Sequence, residues 1–246
     1  MSIPRLSLIA AGLLLTGAAV LAESAPPADA GPFGGPPPRP AVTPGMKPTP
    51  LPAVEKLPNG DVRIGRVTVH PATREVSFPA VYNLKQGILE AVVATPEGRL
   101  HESLLRTEAR PIQLQTALIL LGLRNGARLP GGPVAQGDLV DMDLEWRRPD
   151  GTLARAPVEQ WIYDNGARKS SPRFGWVFTG VTFTNGVANA EIEGNLVINY
   201  SVGDTVLDLP DAAGADDTRF VVDSDRKELA VGTPVRVILK PRAAAK

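Results

Sequence analysis

Apolar and polar positions alternate with period two over residues 61–69 and again over 74–82, which predicts two half-buried strands joined by a Pro-Ala-Thr turn. A short Val- and Ala-rich run over residues 88–95 predicts a buried strand. Residues 95–99, Thr-Pro-Glu-Gly-Arg, carry turn chemistry. Pro presets φ at the first corner, and Gly accepts the left-handed position that closes a short loop. Residues 99–105 are then expected to return as the second strand of a hairpin. From Pro111 the period changes. Leu114, Ala117, Leu118 and Leu121 form one stripe, with Ile112, Ile119 and Leu123 opposite, and Pro suits a first helical turn. A short helix apolar on both sides is expected to be buried, with Leu118 and Leu121 central. It is expected to end at Gly122 or at Asn125-Gly126.

Further along, Asp141, Asp143 and Glu145 alternate with Met142, Leu144 and Trp146, the pattern of a strand with one solvated face. Residues 127–137 form a Gly/Pro loop, long for a plain connection. Residues 157–163 are expected as a strand carrying Trp161 and Tyr163 on one face, and 165–172 as a polar, basic loop. Residues 175–184 read as strand, turning at Asn185-Gly186, a strong hairpin signal, into a partner over 187–200. An acidic, irregular stretch over 204–217 precedes a last strand over 233–239. These elements predict an α+β, β-rich fold: antiparallel sheets with one short buried helix, in a single domain over residues 59–242.

The chain before that domain is of another kind. Arg5, the apolar run over 6–20 and the small-residue end Val20-Leu21-Ala22 predict a signal peptide over residues 1–22. No cysteine follows that junction, so a lipidated cysteine there is not expected. Residues 23–58 are Pro-rich and poor in large apolar side chains, which predicts a disordered linker, with 31–52 dispensable for folding. The protein is therefore expected to be periplasmic or secreted. No further apolar run approaches the roughly 20 residues that a membrane-spanning helix requires, so no span is expected in the mature chain.

Composition narrows the chemistry. The chain has 26 basic and 26 acidic residues and no cysteine, which removes disulfides, haem c attachment and iron–sulfur clusters. No basic stripe with interleaved aromatics is present, so nucleic acid is not an expected partner. Phosphate-loop, dinucleotide and nucleophile-elbow motifs are missing from the sequence, and no cofactor is expected. The only histidines are His70 and His101, and Leu105 stands where a zinc-protease helix would need its second histidine. Asp223-Ser224-Asp225 with Glu228 lacks the glycine and the full ligand series of a calcium loop. No metal is expected.

The candidate site lies on the expected hairpin. If Thr95 pairs with Arg99, then Val92 faces Glu102 and Glu90 faces Leu104. Ile88, Glu90, Val92, Leu100, Glu102 and Leu104 then share a face, with the two carboxylates diagonal neighbours about 7–8 Å apart. Two acids in apolar company need partners, or one must hold a proton, and such acids are typical of catalytic sites. Glu90, His101 and Glu102 are thus the candidate catalytic residues, although His101 points away from Glu102 on a regular strand. The competing reading gives the acids to Arg99, Arg106 or water as structural ion pairs.

Residues 89–90, 98–105, 117–122 and 176–180, with Gly232-Thr233-Pro234-Val235, resemble the pattern of YdjY-domain proteins. The resemblance covers residues 67–241, and its most specific element is His101-Glu102-Ser103-Leu104-Leu105. It implies an exported bacterial protein whose domain has no established activity. The family name comes from a member described as ferredoxin-like, an association that a chain without cysteine cannot inherit. The expected role is a binding or accessory module of the cell envelope, for an envelope protein or a small ligand. A hydrolase using Glu90 and Glu102 near His101, or a purely structural envelope protein, are the alternatives.

Overall fold

The structure, a computed structural model, describes residues 41–126 and 136–242. The expected signal peptide, the Pro-rich stretch before residue 41 and residues 127–135 of the Gly/Pro loop lie outside the described residues.

The chain opens with β1 (Val54–Lys56), β2 (Val62–Ile64) and β3 (Val67–His70), an antiparallel meander leading into β4 (Glu75–Tyr82). Next come β5 (Ala91–Ala94), a 3-10 turn Leu100–Glu102, β6 (Ser103–Arg106) and helix α1 (Pro111–Leu120). The second half begins with β7 (Leu139–Arg147), β8 (Leu153–Pro157) and the hairpin of β9 (Ile162–Asp164) and β10 (Lys169–Ser170). It continues through β11 (Trp176–Phe178), β12 (Phe183–Thr184), β13 (Val187–Ala188), the short α2 (Asn189–Glu193) and β14 (Asn195–Ile198). β15 (Leu207–Asp208), β16 (Phe220–Val222) and β17 (Pro234–Pro241) complete it.

Eight strands, in the order β4-β17-β7-β11-β15-β14-β5-β6, close into a barrel because β6 pairs with β4 as well as with β5. The meander β1–β3 extends the sheet beyond β4, and β8 extends it from β7. The registers carry one face around the ring. Phe78 opposes Val237, Val237 opposes Leu144, and Val140 opposes Trp176. Phe178 opposes Leu207, Leu207 opposes Val197, Val197 opposes Val93, Val93 opposes Leu105, and Leu105 returns to Tyr82. Every one of these side chains is buried. Paired residues share a face, and residues two apart along a strand do too. This ring is therefore the barrel interior, filled by side chains as small barrels are.

β7 has the predicted alternation. Val140, Met142, Leu144 and Trp146 face in, while Asp141, Asp143 and Glu145 face out. The outward acids are matched by cations: Arg242 and Arg173 on Asp141, Arg155 and Arg173 on Asp143, and Arg236 on Glu145. They make an ion-pair ladder on a solvated face, not a metal site. The Asn185-Gly186 turn forms with φ of 51° and 78°, the double positive φ of a type I′ turn. The last strand, β17, also falls where expected.

Other elements differ from their predicted form. Residues 61–69 are not one strand but β2 and β3, split at Gly65 (φ 57°), where a side chain would also run into the Gln113 amide. Residues 157–163 are not one strand but a 3-10 turn and the start of β9, with Trp161 in the core. The expected loop over 165–172 holds β10, and the expected strand over 187–200 is broken into β13, α2 and β14. Val54–Lys56, within the stretch expected as linker, is a paired strand. The largest departure concerns β5 and β6: they are parallel, with Ala91 opposite Ser103 and Val93 opposite Leu105, and not a hairpin. β14 and β15 are the barrel's other parallel pair.

Helix α1 packs against β2, β3, β14 and α2. Gln113, in the helix's own first turn, accepts the amides of the N-cap Arg110 and of Arg66 through Oε1, and Glu191 on α2 accepts that of Ile112. Gly122 ends it in a left-handed conformation, with Leu123 N bonded to Leu118 O. Leu114, Ala117 and Leu118 are fully buried, but Ile119 and Leu120 are half exposed, so the helix is buried on one side only.

This contrast sets a test. Leu118→Ala should cost about 2–5 kcal/mol in chemical denaturation, the usual range for a core leucine. Ile119→Ala, one residue on and 50% exposed, should cost no more than about 0.5 kcal/mol. Equal losses at the two positions would contradict the placement of the helix.

Candidate functional site

Parallel neighbours are ordinarily joined by a crossover of about a dozen residues or more. Here residues 95–102 must carry the chain from the end of β5 back to its beginning. The predicted turn does form: Gly98 N donates to Thr95 O (2.9 Å). The chain is then held against Gly194, whose carbonyl accepts Thr95 N (2.8 Å) and stands only 2.9 Å from where a Cβ on Gly98 would sit. The 3-10 turn Leu100–Glu102 completes the return. Asn83 fixes it by donating from Nδ2 to Leu100 O (2.6 Å) and Ser103 O (2.8 Å). The fully buried Ser103 donates its hydroxyl to Arg99 O (2.7 Å).

Glu90, His101 and Glu102 meet at this return, though not as a hairpin would bring them. His101 and Glu102 lie on the 3-10 turn, where their side chains need not point oppositely. Arg99 joins the acids: its Nη1 donates to Glu90 Oε2 and lies 3.9 Å from Glu102 Oε2. His101 Nε2 is 3.6 Å from the same Glu102 oxygen, but its side chain is 73% exposed. The three candidates therefore form one chain of contacts, with Arg99 at its centre and His101 at its rim. Arg106, the other cation considered as a partner, is exposed.

The electrostatics of Glu90 are opposed. Burial raises its pKa, Glu102 raises it further, and Arg99 lowers it. Burial and the second carboxylate prevail, and the Glu90 carboxyl is held above the ordinary glutamate value. The cluster can thus hold a proton on one acid beside a second acid, the arrangement of a general acid–base pair. It can equally act as a clamp in which one guanidinium offsets two carboxylates.

Sequence reasoning missed three polar residues. Asn83 and Ser103 gave no signal, because a single buried Asn or Ser has no periodicity. Glu159, 1% exposed, accepts Gly175 N (3.1 Å) through Oε1 and has its pKa pushed up by burial. It lies in the stretch read as strand. Asp223, of the loose calcium pattern, takes its bonds from Ser170 Oγ and Asp225 N. Among the described residues no three His, Asp or Glu side chains are grouped to hold a metal, and no helix is long and apolar enough to cross a membrane. Trp161 and Trp176 are both core residues.

A second feature stands elsewhere on the barrel. The segment 46–50, Met-Lys-Pro-Thr-Pro, lies along the β12–β13 hairpin. Thr49 N donates to Gly186 O (2.9 Å), and Thr49 Oγ1 accepts Ala188 N (2.9 Å). Between this strap and the return loop is an open cleft of about 640 Å³, lined among others by Lys47, Pro96, Glu97, Glu108, Arg110 and Ile192. Arg110 pairs there with Glu191 (2.6 Å). The expectation that residues 31–52 are disordered thus fails at Thr49.

The family model described as the YdjY domain matches residues 67–240, which takes in β3 and the strands of the barrel from β4 to β17. No curated protein and no solved structure matches the chain.

The pH dependence of Glu90 can be measured. A folded-state pKa above the unfolded value means that the native state binds the proton more tightly. The associated stability is present below the ordinary glutamate range and lost as pH rises through the folded value. Glu90→Gln lacks that loss. Its stability relative to wild type, from denaturation curves, should rise between about pH 4 and about pH 8. A relative fall over that window would mean that the Arg99 pairing outweighs burial.

Proposed function

The chain belongs to the YdjY domain family, and from that premise we propose that it is an exported, non-catalytic binding or accessory module of the cell envelope. The carrying observation is the strap on the β12–β13 hairpin. An extended segment is held there by backbone and hydroxyl bonds beside an open cleft. Strand-edge capture of an extended peptide is a recurrent binding mode that needs no catalytic group. The charged start and apolar run over residues 1–22 support export, and the Pro-rich stretch that follows supports a tethered domain.

One observation favours a second reading, a hydrolase with Glu90 and Glu102 as acid and base near His101: the raised pKa of Glu90 beside another carboxylate. Against it stands Arg99, which contacts both acids and ties them to the return of the chain between two barrel strands.

A photo-crosslinking amino acid at Ile192, in the cleft, tests the binding reading in cells that export the protein. An adduct should form in the exported fraction on a chain that begins at Glu23. The same group at the exposed Leu153 on β8 should give none. Equal labelling at both positions, or none at Ile192, would contradict the proposal.

A further inference from the structure

The strap contact is specific. Among the described residues, the bonds that tie segment 46–50 to the barrel are made by Thr49 alone. Its amide and its hydroxyl together satisfy one carbonyl and one amide of the hairpin, Gly186 O and Ala188 N. A valine in its place would keep the shape and leave the Ala188 donor without its acceptor, which costs more than a bond never made. The prolines on either side have no N–H to place, and they hold the segment extended at low entropic cost. Pro48 rests on Gly186: a Cβ there would stand 3.2 Å from Pro48 Cβ, so a side chain at this positive-φ turn position would push the proline outward by a few tenths of an ångström. Lys47, one residue earlier, borders the same cleft as Glu97 and Glu108, two acids without an ion-pair partner among those described. The features recognised are thus a cation, a proline, a hydroxyl residue and a second proline, in that order.

Yet the hold is light. Lys47, Pro48 and Pro50 are exposed, and Thr49 is only half buried. A segment fixed at one residue can be exchanged for another that offers the same groups.

We propose that the β12–β13 edge and its cleft form a docking site for an extended Lys/Arg-Pro-Thr/Ser-Pro segment of another protein. The chain's own Lys47-Pro48-Thr49-Pro50 fills the site in cis and sets the threshold for the incoming peptide. This rests on the binding-module reading and names its ligand class. A tethered occupant acts at a high effective concentration, so the wild-type chain binds weakly until a competitor displaces the strap.

The test uses the full mature chain and a fluorescent peptide copying residues 43–53. Thr49→Val weakens the cis strap without changing its length or shape. By anisotropy, the Thr49→Val chain should bind the peptide about tenfold or more tightly than wild type does. A peptide with Val in place of Thr should bind the same variant about tenfold more weakly, the loss of one paired donor. Glu108→Lys in the Thr49→Val background should weaken binding of the lysine-bearing peptide and reduce its salt dependence. Both chains should sediment as monomers.

Binding of the Thr and Val peptides with equal affinity would overturn the hydroxyl recognition while leaving a peptide-binding cleft. No binding by Thr49→Val, together with a crosslinked adduct at Ile192, would overturn the ligand class while leaving the binding module. No binding and no adduct would remove both. A wild-type dimer abolished by Thr49→Val would overturn the separate partner in favour of strap exchange between two copies.

Discussion

The fold turns on a double pairing. β6 lies parallel to β5 on one side and antiparallel to β4 on the other, and through those few residues the sheet becomes a ring. Without it, β5 and the end of β4 beyond its pairing with β3 would be open edges of a sheet whose inner face is lined by Phe78, Val93, Trp176 and Phe178. The short return over residues 95–102 is what makes the pairing possible. It is shorter than parallel crossovers usually are, and it has no long helix to fill the distance. Its stability must come from polar fixation, which Asn83, Ser103 and Arg99 supply.

In this light the carboxylate cluster has a structural reason to exist. Glu90 immediately precedes β5, and Glu102 immediately precedes β6. One guanidinium between them ties the starts of two parallel strands together. Replacing Arg99 by an apolar side chain would leave two acids facing each other in partial burial, and breaking such an arrangement is more costly than never having it. The raised pKa of Glu90 is the mark of that tension. It gives the site latent acid–base character without requiring that the protein use it.

Much of the barrel was legible in the sequence. The alternation on β7, the last strand, the Asn185-Gly186 turn and the extent of α1 follow from local chemistry, and the structure has them. The β5–β6 relation was not legible, for a specific reason. The Thr-Pro-Glu-Gly turn signal is correct, but β14 takes the antiparallel position beside β5 that a hairpin strand would occupy, and residues 195–198 lie a hundred positions away. Local turn chemistry says that the chain bends; it does not say which neighbour it meets. Gly65 gave no warning either, since the alternation runs on through the turn between β2 and β3. The meeting of Glu90 and Glu102 was expected from a register that the protein does not have. It arises through Arg99, which was considered only as a competing partner. Thr49 was hidden in a composition that reads as linker, because one hydroxyl between prolines has no pattern to betray it.

On this reading the Arg99 clamp keeps the barrel closed. Native-state hydrogen exchange reads it at the Asn83 amide, which donates to Leu104 O across the β4–β6 seam (2.8 Å). The Val237 amide, on a central strand paired on both sides, reports global unfolding. In the wild type both amides should exchange only through global unfolding. In Arg99→Met, which keeps much of the apolar stem, Asn83 should exchange faster than Val237 by a local opening of the seam. If Asn83 and Val237 stay matched in Arg99→Met, the closure of the barrel does not depend on the clamp.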